Sequence, residues 1–386
     1  MVRALGVAVV GFGWMGRVHT QAYARVPHHF PQLALRPEPV CVADAVPGRA
    51  EEAAERYGFA TAVRDWREIV ADPRVEAVSI TAPNFLHREI GVAMAGAGKH
   101  IWIEKPVGLT VDDARAVSDA VTEAGVRGTV GFNYRCAPAV VAARELIASG
   151  AIGDVTHARI RLFSDYAAHP EGALTWRYER ERGGRGVLGD LASHGVDLAR
   201  FLLGEIEALT ADTAVFVPLR ARPTGATEGH PRATGGEPAP VENEDYVNCL
   251  LRFASGARGV LEASRVSVGE QNTYGFEIHG TRGALFWDFR RMGELGVSRG
   301  TTYQDQPVST VFVGPGAGDY AAFQPGAANS MGYDDLKVIE AHTFLRSIAE
   351  DRPYGATLAD AVRSATALDA MVRSAESGAW VALGTE

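Results

Sequence analysis

The chain has 386 residues, of which 46% are hydrophobic, and a formal charge of −9. That length predicts about two domains with well-buried cores, and the acidic balance argues against a nucleic-acid or anionic-membrane surface. Cys41, Cys136 and Cys249 form no metal-ligand spacing and leave an odd number for disulfides, which fits a reducing cytoplasm. No run approaches the roughly 18 apolar residues of a membrane span. The apolar run after Met1-Val2-Arg3 leads into a glycine-rich turn with no cleavage site for an export signal.

Residues 4–10 are apolar and β-branched, the pattern of a strand buried on both faces of a parallel sheet. Gly11-Phe12-Gly13-Trp14-Met15-Gly16 follows at once, and residues 18–25 read as a helix stopped before Pro27. In this strand, turn and helix context, the first glycine permits the tight turn and the second admits a pyrophosphate to the backbone. The third lets helix pack on strand. A second strand, 40–43, ends in Asp44, placed to accept from a ribose diol and to repel a 2′-phosphate, which selects NAD. Asp44 lies 33 residues beyond Gly11, against about 20 in the usual spacing; the proline-rich segment 27–39 reads as a loop insertion. Two alternatives stay open here: Asp44 as the cap of the next helix, and Arg49 as an acceptor of NADP.

Helices at 50–57 and 66–70 lead to a strand at 77–81 that ends in Thr81-Ala82-Pro83-Asn84. A helix at 85–97 and a strand at 100–103 deliver Glu104-Lys105-Pro106. Ligands of open α/β sheets bind beyond the carboxyl ends of strands, so Asn84 and Lys105 belong on the side of Gly11. Asn84 is either a cofactor contact or a helix cap, and His87 reads as a surface or capping residue. A helix at 111–124 and a strand at 128–132, ending in Asn133-Tyr134-Arg135, close an expected six-stranded sheet, of which the pattern names five strands. The domains are therefore expected at 1–133 and 134–386.

Beyond residue 150, strands are expected at 155–163, 208–217, 245–253, 257–267, 274–279 and 283–288, in a mainly antiparallel sheet. Helices at 137–149 and 190–203 would cover one face, and the other face invites a second subunit. Residues 218–241 and 315–332 read as loops and 358–377 as a helix.

Of 38 basic side chains, three are lysines, Lys99, Lys105 and Lys337, and the other 35 are arginines. Arginine keeps its proton, whereas a partly desolvated lysine can lose one, so Lys105 is a candidate for proton chemistry beside the plain reading of a solvated charge. In a helix, Asp190, His194 and Asp197 share a face at i, i+4 and i+7. A carboxylate one turn from an imidazole supports a general base. A capping aspartate with a surface histidine is the alternative, and no third ligand cluster supports zinc. Glycines in 182–186 suggest close backbone approach, and Trp176-Arg177 is either a wall over the nicotinamide or packing.

The ordered set of Gly11–Gly16, Asp44, Thr81-Ala82-Pro83-Asn84 with His87, Glu104-Lys105-Pro106, Asn133-Tyr134-Arg135, Asp190 with His194, and Phe276-Glu277-Ile278-His279-Gly280 resembles the glucose-fructose oxidoreductase, inositol dehydrogenase and rhizopine-catabolism family. Within it the pattern is most similar to the inositol and levoglucosan dehydrogenase branches. The resemblance implies an α/β Rossmann dinucleotide-binding domain and an α+β domain with a large, mainly antiparallel open sheet covered by helices on one face. It further implies a cytoplasmic NAD-dependent oxidoreductase, with NADP not excluded, that takes hydride from a secondary alcohol of a cyclitol, anhydrosugar or sugar. His194 would take the hydroxyl proton, Lys105 would hydrogen-bond the reacting oxygen, and Asp190 would hold the substrate or orient the imidazole. The cofactor would meet Gly11, Phe12, Gly13, Trp14, Met15, Gly16, Asp44, Thr81, Pro83, Asn84, His87, Glu104, Lys105, Asn133, Trp176 and Arg177. The substrate, a small polyhydroxylated molecule, would meet Lys105, Tyr134, Asp165, Asp190 and His194. No metal, nucleic acid or membrane is implied, and a homodimer or tetramer through the C-terminal sheet is. A keto-sugar reductase using NADP(H) and a non-catalytic dinucleotide sensor are the alternatives.

Overall fold

The computed structural model describes residues 2–224, 229, 231–233 and 235–384. The chain divides into two compact units, residues 1–133 with 333–365, and residues 134–332 with 366–386. The break at Asn133 and Tyr134 coincides with the sequence boundary. The segment 333–365, assigned by sequence to the second domain, packs with the first unit instead.

The first unit opens with β1 (Arg3–Val10), α1 (Trp14–His29), β2 (Leu35–Ala43), α2 (Arg49–Tyr57) and β3 (Thr61–Val63). It continues through β4 (Ala77–Ile80), α3 (His87–Gly96), β5 (His100–Ile103), α4 (Val111–Glu123) and β6 (Gly128–Val130). The six strands are parallel, in the order β3-β2-β1-β4-β5-β6. Helix α4 starts where the sequence provides a cap: the Thr110 hydroxyl accepts from the Asp113 N–H, and the Asp113 carboxylate returns to the Thr110 N–H.

The expected loop insertion at 27–39 is not a loop. Helix α1 runs through Pro27 to His29, and β2 begins at Leu35 and includes Pro37 and Pro39. Proline is tolerated there because β3 pairs only with Cys41–Ala43; at Pro39 that side is met through the proline carbonyl, which accepts from the Ala60 N–H at 3.3 Å and needs no proline N–H. The wide spacing from Gly11 to Asp44 comes from a longer helix and a longer strand. Among the six strands β3 escaped the sequence reading, because its three residues are all half-buried and carry no alternation.

In the second unit, α5 (Pro138–Ala148) precedes β7 (Val155–Phe163), and a five-residue π-helical turn, Leu188–Ala192, runs into α6 (Ser193–Leu203). Strands β8 (Ile206–Ala214), β9 (Leu219–Ala221), β10 (Pro238–Pro240), β11 (Tyr246–Phe253), β12 (Arg258–Ser264) and β13 (Thr273–Gly280) follow. After them come β14 (Gly283–Asp288), β15 (Glu294–Arg299), β16 (Ser309–Phe312) and, at the far end of the chain, β17 (Val381–Ala382). Nine strands form one sheet in the order β16-β15-β14-β13-β7-β12-β11-β8-β17, antiparallel except for β7 and β12. The segment expected to be a loop at 218–241 contains the β9–β10 pair; its residues 225–228, 230 and 234 lie outside the described residues.

Alternation along these strands sends Leu162 and Leu261 to the face under α6, where both approach Gly195. Leu250 and Val260, directly paired across β11 and β12, point to the opposite face and are 48% and 36% exposed. Two helices return late in the chain: α7 (Tyr333–Ala349), in the first unit, and α8 (Leu358–Ser377), which begins in the first unit and ends in the second. Among the described residues no helix is long and apolar enough to cross a membrane.

Candidate active site

The glycine turn divides its work as its spacing requires. Gly11 has φ +88°, and a Cβ there would stand 2.7 Å from the Ala82 backbone. A Cβ on Gly16 would stand 2.4 Å from the Gly11 carbonyl oxygen. Gly13, by contrast, has nothing within 4 Å of the position a Cβ would take. It caps α1, which has no side-chain cap and no acidic residue in its first turn. An uncontested helix N-terminus beside open space fits a pyrophosphate. The Thr81 hydroxyl donates to the Gly11 carbonyl at 2.5 Å and so steadies the turn. Phe12 is buried against Tyr57 and Phe59, whereas Trp14 is 58% exposed and stacks on Tyr333. The Tyr333 hydroxyl reaches the Met15 sulfur at 3.7 Å.

Asp44 stands at the end of β2, accepting from the Phe12 N–H at 2.7 Å and the Val46 N–H at 2.8 Å. Helix α2 begins behind Gly48, so Asp44 caps the turn and not the helix. Arg49 lies 3.6 Å from the same carboxylate. Pro83, not Asn84, occupies the cap position of the short 3-10 turn Asn84–Leu86. His87 is neither a surface nor a capping residue. It is fully buried, with Nε2 2.7 Å from the Ala82 carbonyl and Nδ1 2.8 Å from the Pro106 carbonyl, and it ties together the loops that follow β4 and β5. Burial lowers its pKa. Asn133 is buried with neither amide atom hydrogen-bonded, and a buried amide without partners fits a ligand that brings its own donor and acceptor.

Lys105 is half-buried in the turn after β5, before a cis peptide to Pro106. Its neighbour Glu104 points into the unit, 2.9 Å from His19 Nε2 and 2.5 Å from Lys337 Nζ. Lys337 also reaches Glu340 at 2.8 Å, and the Trp102 indole N–H donates to Glu340 at 3.1 Å. His19 stacks on Trp102 with ring centroids 3.5 Å apart. Burial favours the neutral form of Glu104, but Lys337 and His19 overcome it and hold the carboxyl far below its usual range. Burial pushes Glu340 up to about 7, against the pull of Lys337, and lowers His19 to about 4. His19, Glu104 and Glu340 are close enough together to hold a metal ion, yet the Lys337 ammonium already stands against both carboxylates. Glu104 thus braces the turn from within. Of the other lysines, Lys99 is buried and donates to the Asp72 and Val75 carbonyls, both at 2.8 Å; Lys337 is fully buried and not a surface charge.

In the second unit the expected helix over 190–203 begins with the π turn, which carries Asp190, while His194 and Asp197 follow on α6. Asp197 is buried and paired with Arg135 through both carboxylate oxygens. Asp190 accepts a short hydrogen bond from the Tyr166 hydroxyl. His194, also buried, meets the Tyr134 ring at 4.6 Å, and Tyr134 continues to Tyr274 and Phe289. Asp165 lies in the turn after β7, where its carbonyl accepts from the Ala168 N–H. Arg177 stacks over Trp176 at 4.4 Å, and its carbonyl accepts from the Asn243 amide. The close approach signalled by the 182–186 glycines is to protein backbone: a Cβ on Gly183 would meet the Arg177 carbonyl oxygen at 2.5 Å, and one on Gly186 the Glu244 carbonyl oxygen at 2.2 Å.

Sequence reasoning missed His19, Trp102, Lys337, Glu340, Tyr166 and Tyr274. His19 follows Gly16 by three residues and Lys337 is one of only three lysines, so both carried a signal; the tyrosines carried none.

Residues 5–132 match the domain described as oxidoreductase family, NAD-binding Rossmann fold, and residues 140–286 match the GFO/IDH/MocA C-terminal domain. The chain is 39% identical to levoglucosan dehydrogenase of Pseudarthrobacter phenanthrenivorans, over 98% of this chain and 97% of that protein. It is 30% identical to inositol 2-dehydrogenase of Rhizobium meliloti, over 89% and 97%. A levoglucosan dehydrogenase solved in complex with NADH and levoglucosan superposes with a TM-score of 0.93 at 38% identity, covering 99% of this chain and 100% of that one.

Proposed function

The chain belongs to the glucose-fructose oxidoreductase, inositol dehydrogenase and rhizopine-catabolism family, and on that premise we propose an NAD-dependent dehydrogenase acting on a secondary alcohol of a cyclitol, anhydrosugar or related sugar. The observation that carries this reading is the near full-length similarity to a levoglucosan dehydrogenase, in a chain that contains Glu104-Lys105-Pro106 and Asp190 with His194. Bound NAD+ supplies a hydride acceptor at C4 of its nicotinamide. The open N-terminus of α1 at Gly13 binds the pyrophosphate, Asp44 accepts from the ribose diol, and Asn133 meets the cofactor with its buried amide. At the substrate, the His194 imidazole takes the hydroxyl proton as the hydride leaves the same carbon. The Lys105 ammonium donates to that oxygen and stabilises its growing negative charge. Asp190 holds a substrate hydroxyl. The enzyme further assembles as a homo-oligomer through the open face of the nine-stranded sheet, a reading supported by exposed Leu250 and Val260 opposite the helix-covered face.

NADH formation measured over inositols, levoglucosan and aldoses tests the activity. Turnover on one of these is expected, whereas tight NAD binding without turnover on any of them would point to a sensor. On the active substrate, Lys105→Ala should lower kcat by about 10²–10⁴-fold with little change in NAD affinity; near-parental turnover removes Lys105 from this role.

A further inference from the structure

Tyr166 and Asp190 sit on two segments that are each braced independently. The turn carrying Tyr166 is pinned to the segment after β12 by three backbone bonds: Ser164 N–H to the Ser264 carbonyl at 2.9 Å, Ala167 N–H to the Arg265 carbonyl at 3.0 Å, and Ser267 N–H to the Ser164 carbonyl at 3.0 Å. The Arg220 guanidinium, itself buried, clamps the carbonyls of Ala167, His169 and Gly172. On the other side, the Asp190 N–H donates to the Gly186 carbonyl at 3.1 Å, and Gly186 is seated against the Glu244 backbone. A phenol–carboxylate hydrogen bond joins the two segments.

We propose that Tyr166 is a positioning residue that fixes Asp190 as a constant hydrogen-bond acceptor for a substrate hydroxyl, and so keeps it from serving as a proton carrier. The proposal rests on the reading of Asp190 as part of the site. Burial, and then the adjacent Asp190 charge, hold the Tyr166 phenol well above its usual range, so it remains a donor at any working pH. The same two causes raise Tyr274. The titratable and charged groups around this pair thus come from the turn after β7 (Tyr166), from β13 (Tyr274) and from the segment after β12 (Arg265, which acts on Tyr166). A donor to a carboxylate favours its ionised form. Without it, Asp190 binds a proton more readily, which moves the acidic limb of the pH profile upward.

The test compares Tyr166→Phe and Asp190→Asn with the parent, by kcat/KM against pH on the polyol that the substrate panel identifies, with NAD dissociation constants and melting temperatures in parallel. Tyr166→Phe is expected to lower kcat/KM about tenfold, the loss of roughly one hydrogen bond to a charged group. Its acidic limb should move up by about half a pH unit or more, with NAD affinity and melting temperature retained. An unmoved limb overturns the proposal, whether or not the melting temperature falls. Asp190→Asn with parental kcat/KM overturns the proposal together with the reading of Asp190. An inactive Asp190→Asn beside an unaffected Tyr166→Phe overturns the positioning role alone.

Discussion

The two units secure their key side chains by different means. Behind Lys105, the first unit places a buried set of charges in which Glu104, Lys337 and Glu340 pair across α7 and the end of β5. Around Asp190 and His194, the second unit uses a phenol and a group of aromatic rings, and its buried ion pairs include Arg135 with Asp197 on α6 and Arg265 with Asp245 after β12. An ionic brace is strong only while every partner is present, because desolvated charge without a counter-charge is costly. A phenolic brace far from its own titration range is insensitive to pH near neutrality. The first unit should therefore respond sharply to single charge deletions and to pH, and the second mainly to packing.

The largest expected effect comes from Lys337→Met, which leaves Glu104 buried without its cation and should cost about 3–5 kcal/mol in urea unfolding. Lys105→Met, in the turn nearby, should change stability by less than about 0.5 kcal/mol. Equal losses would erase the distinction between brace and reactive lysine. Next is Gly131→Ala, whose Cβ would stand 2.5 Å from a Glu104 oxygen that Lys337 and His19 prevent from yielding. About 1–3 kcal/mol should be lost, and a neutral result would mean that Glu104 is not held in place.

The pH response follows from opposite signs. Glu340 rises from the usual 4.5 to about 7 in the folded chain, so the native state binds the extra proton. Its contribution is complete below about pH 4.5 and is lost as pH rises toward 7. His19 falls from 6.5 to about 4, so its contribution is gained over nearly the same interval and partly cancels the first. Glu340→Gln removes only the loss, and its stability relative to the parent should improve by roughly 1–2 kcal/mol between pH 5 and 7. Urea midpoints at the two pH values would show it, and a constant difference would rule it out. The smallest effect belongs to the second unit: Gly195→Ala meets the movable ends of Leu162 and Leu261 at 2.6 and 2.9 Å and should cost about 1 kcal/mol.

What the sequence disclosed was local. The Gly11–Gly16 turn, Asp44 at a strand end and the Glu104-Lys105-Pro106 tripeptide were legible because their spacing is itself the geometry. Pro27, Pro37 and Pro39 misled, since a proline reads as a break, whereas Pro27 lies in the last turn of α1 and Pro37 and Pro39 lie in the part of β2 that precedes its pairing with β3. The π turn that carries Asp190 was not legible, because a sequence reading assumes a regular helix. The pairings of Tyr166 and of Lys337 were not legible, although Lys337 stood out as a rare lysine, because their partners lie 24 and 233 residues away.

The return of residues 333–365 to the first unit bears on how this protein can be cut and recombined. The polypeptide passes between its units three times, so a fragment ending at Asn133 would carry Glu104 without Lys337, and its dinucleotide domain would be missing its internal counter-ion. A chimaera that exchanges cofactor preference with a relative should transplant 1–133 and 333–365 as one cassette. Cutting at the first boundary alone would mismatch the ion network, although every glycine of the nucleotide turn had been transferred intact.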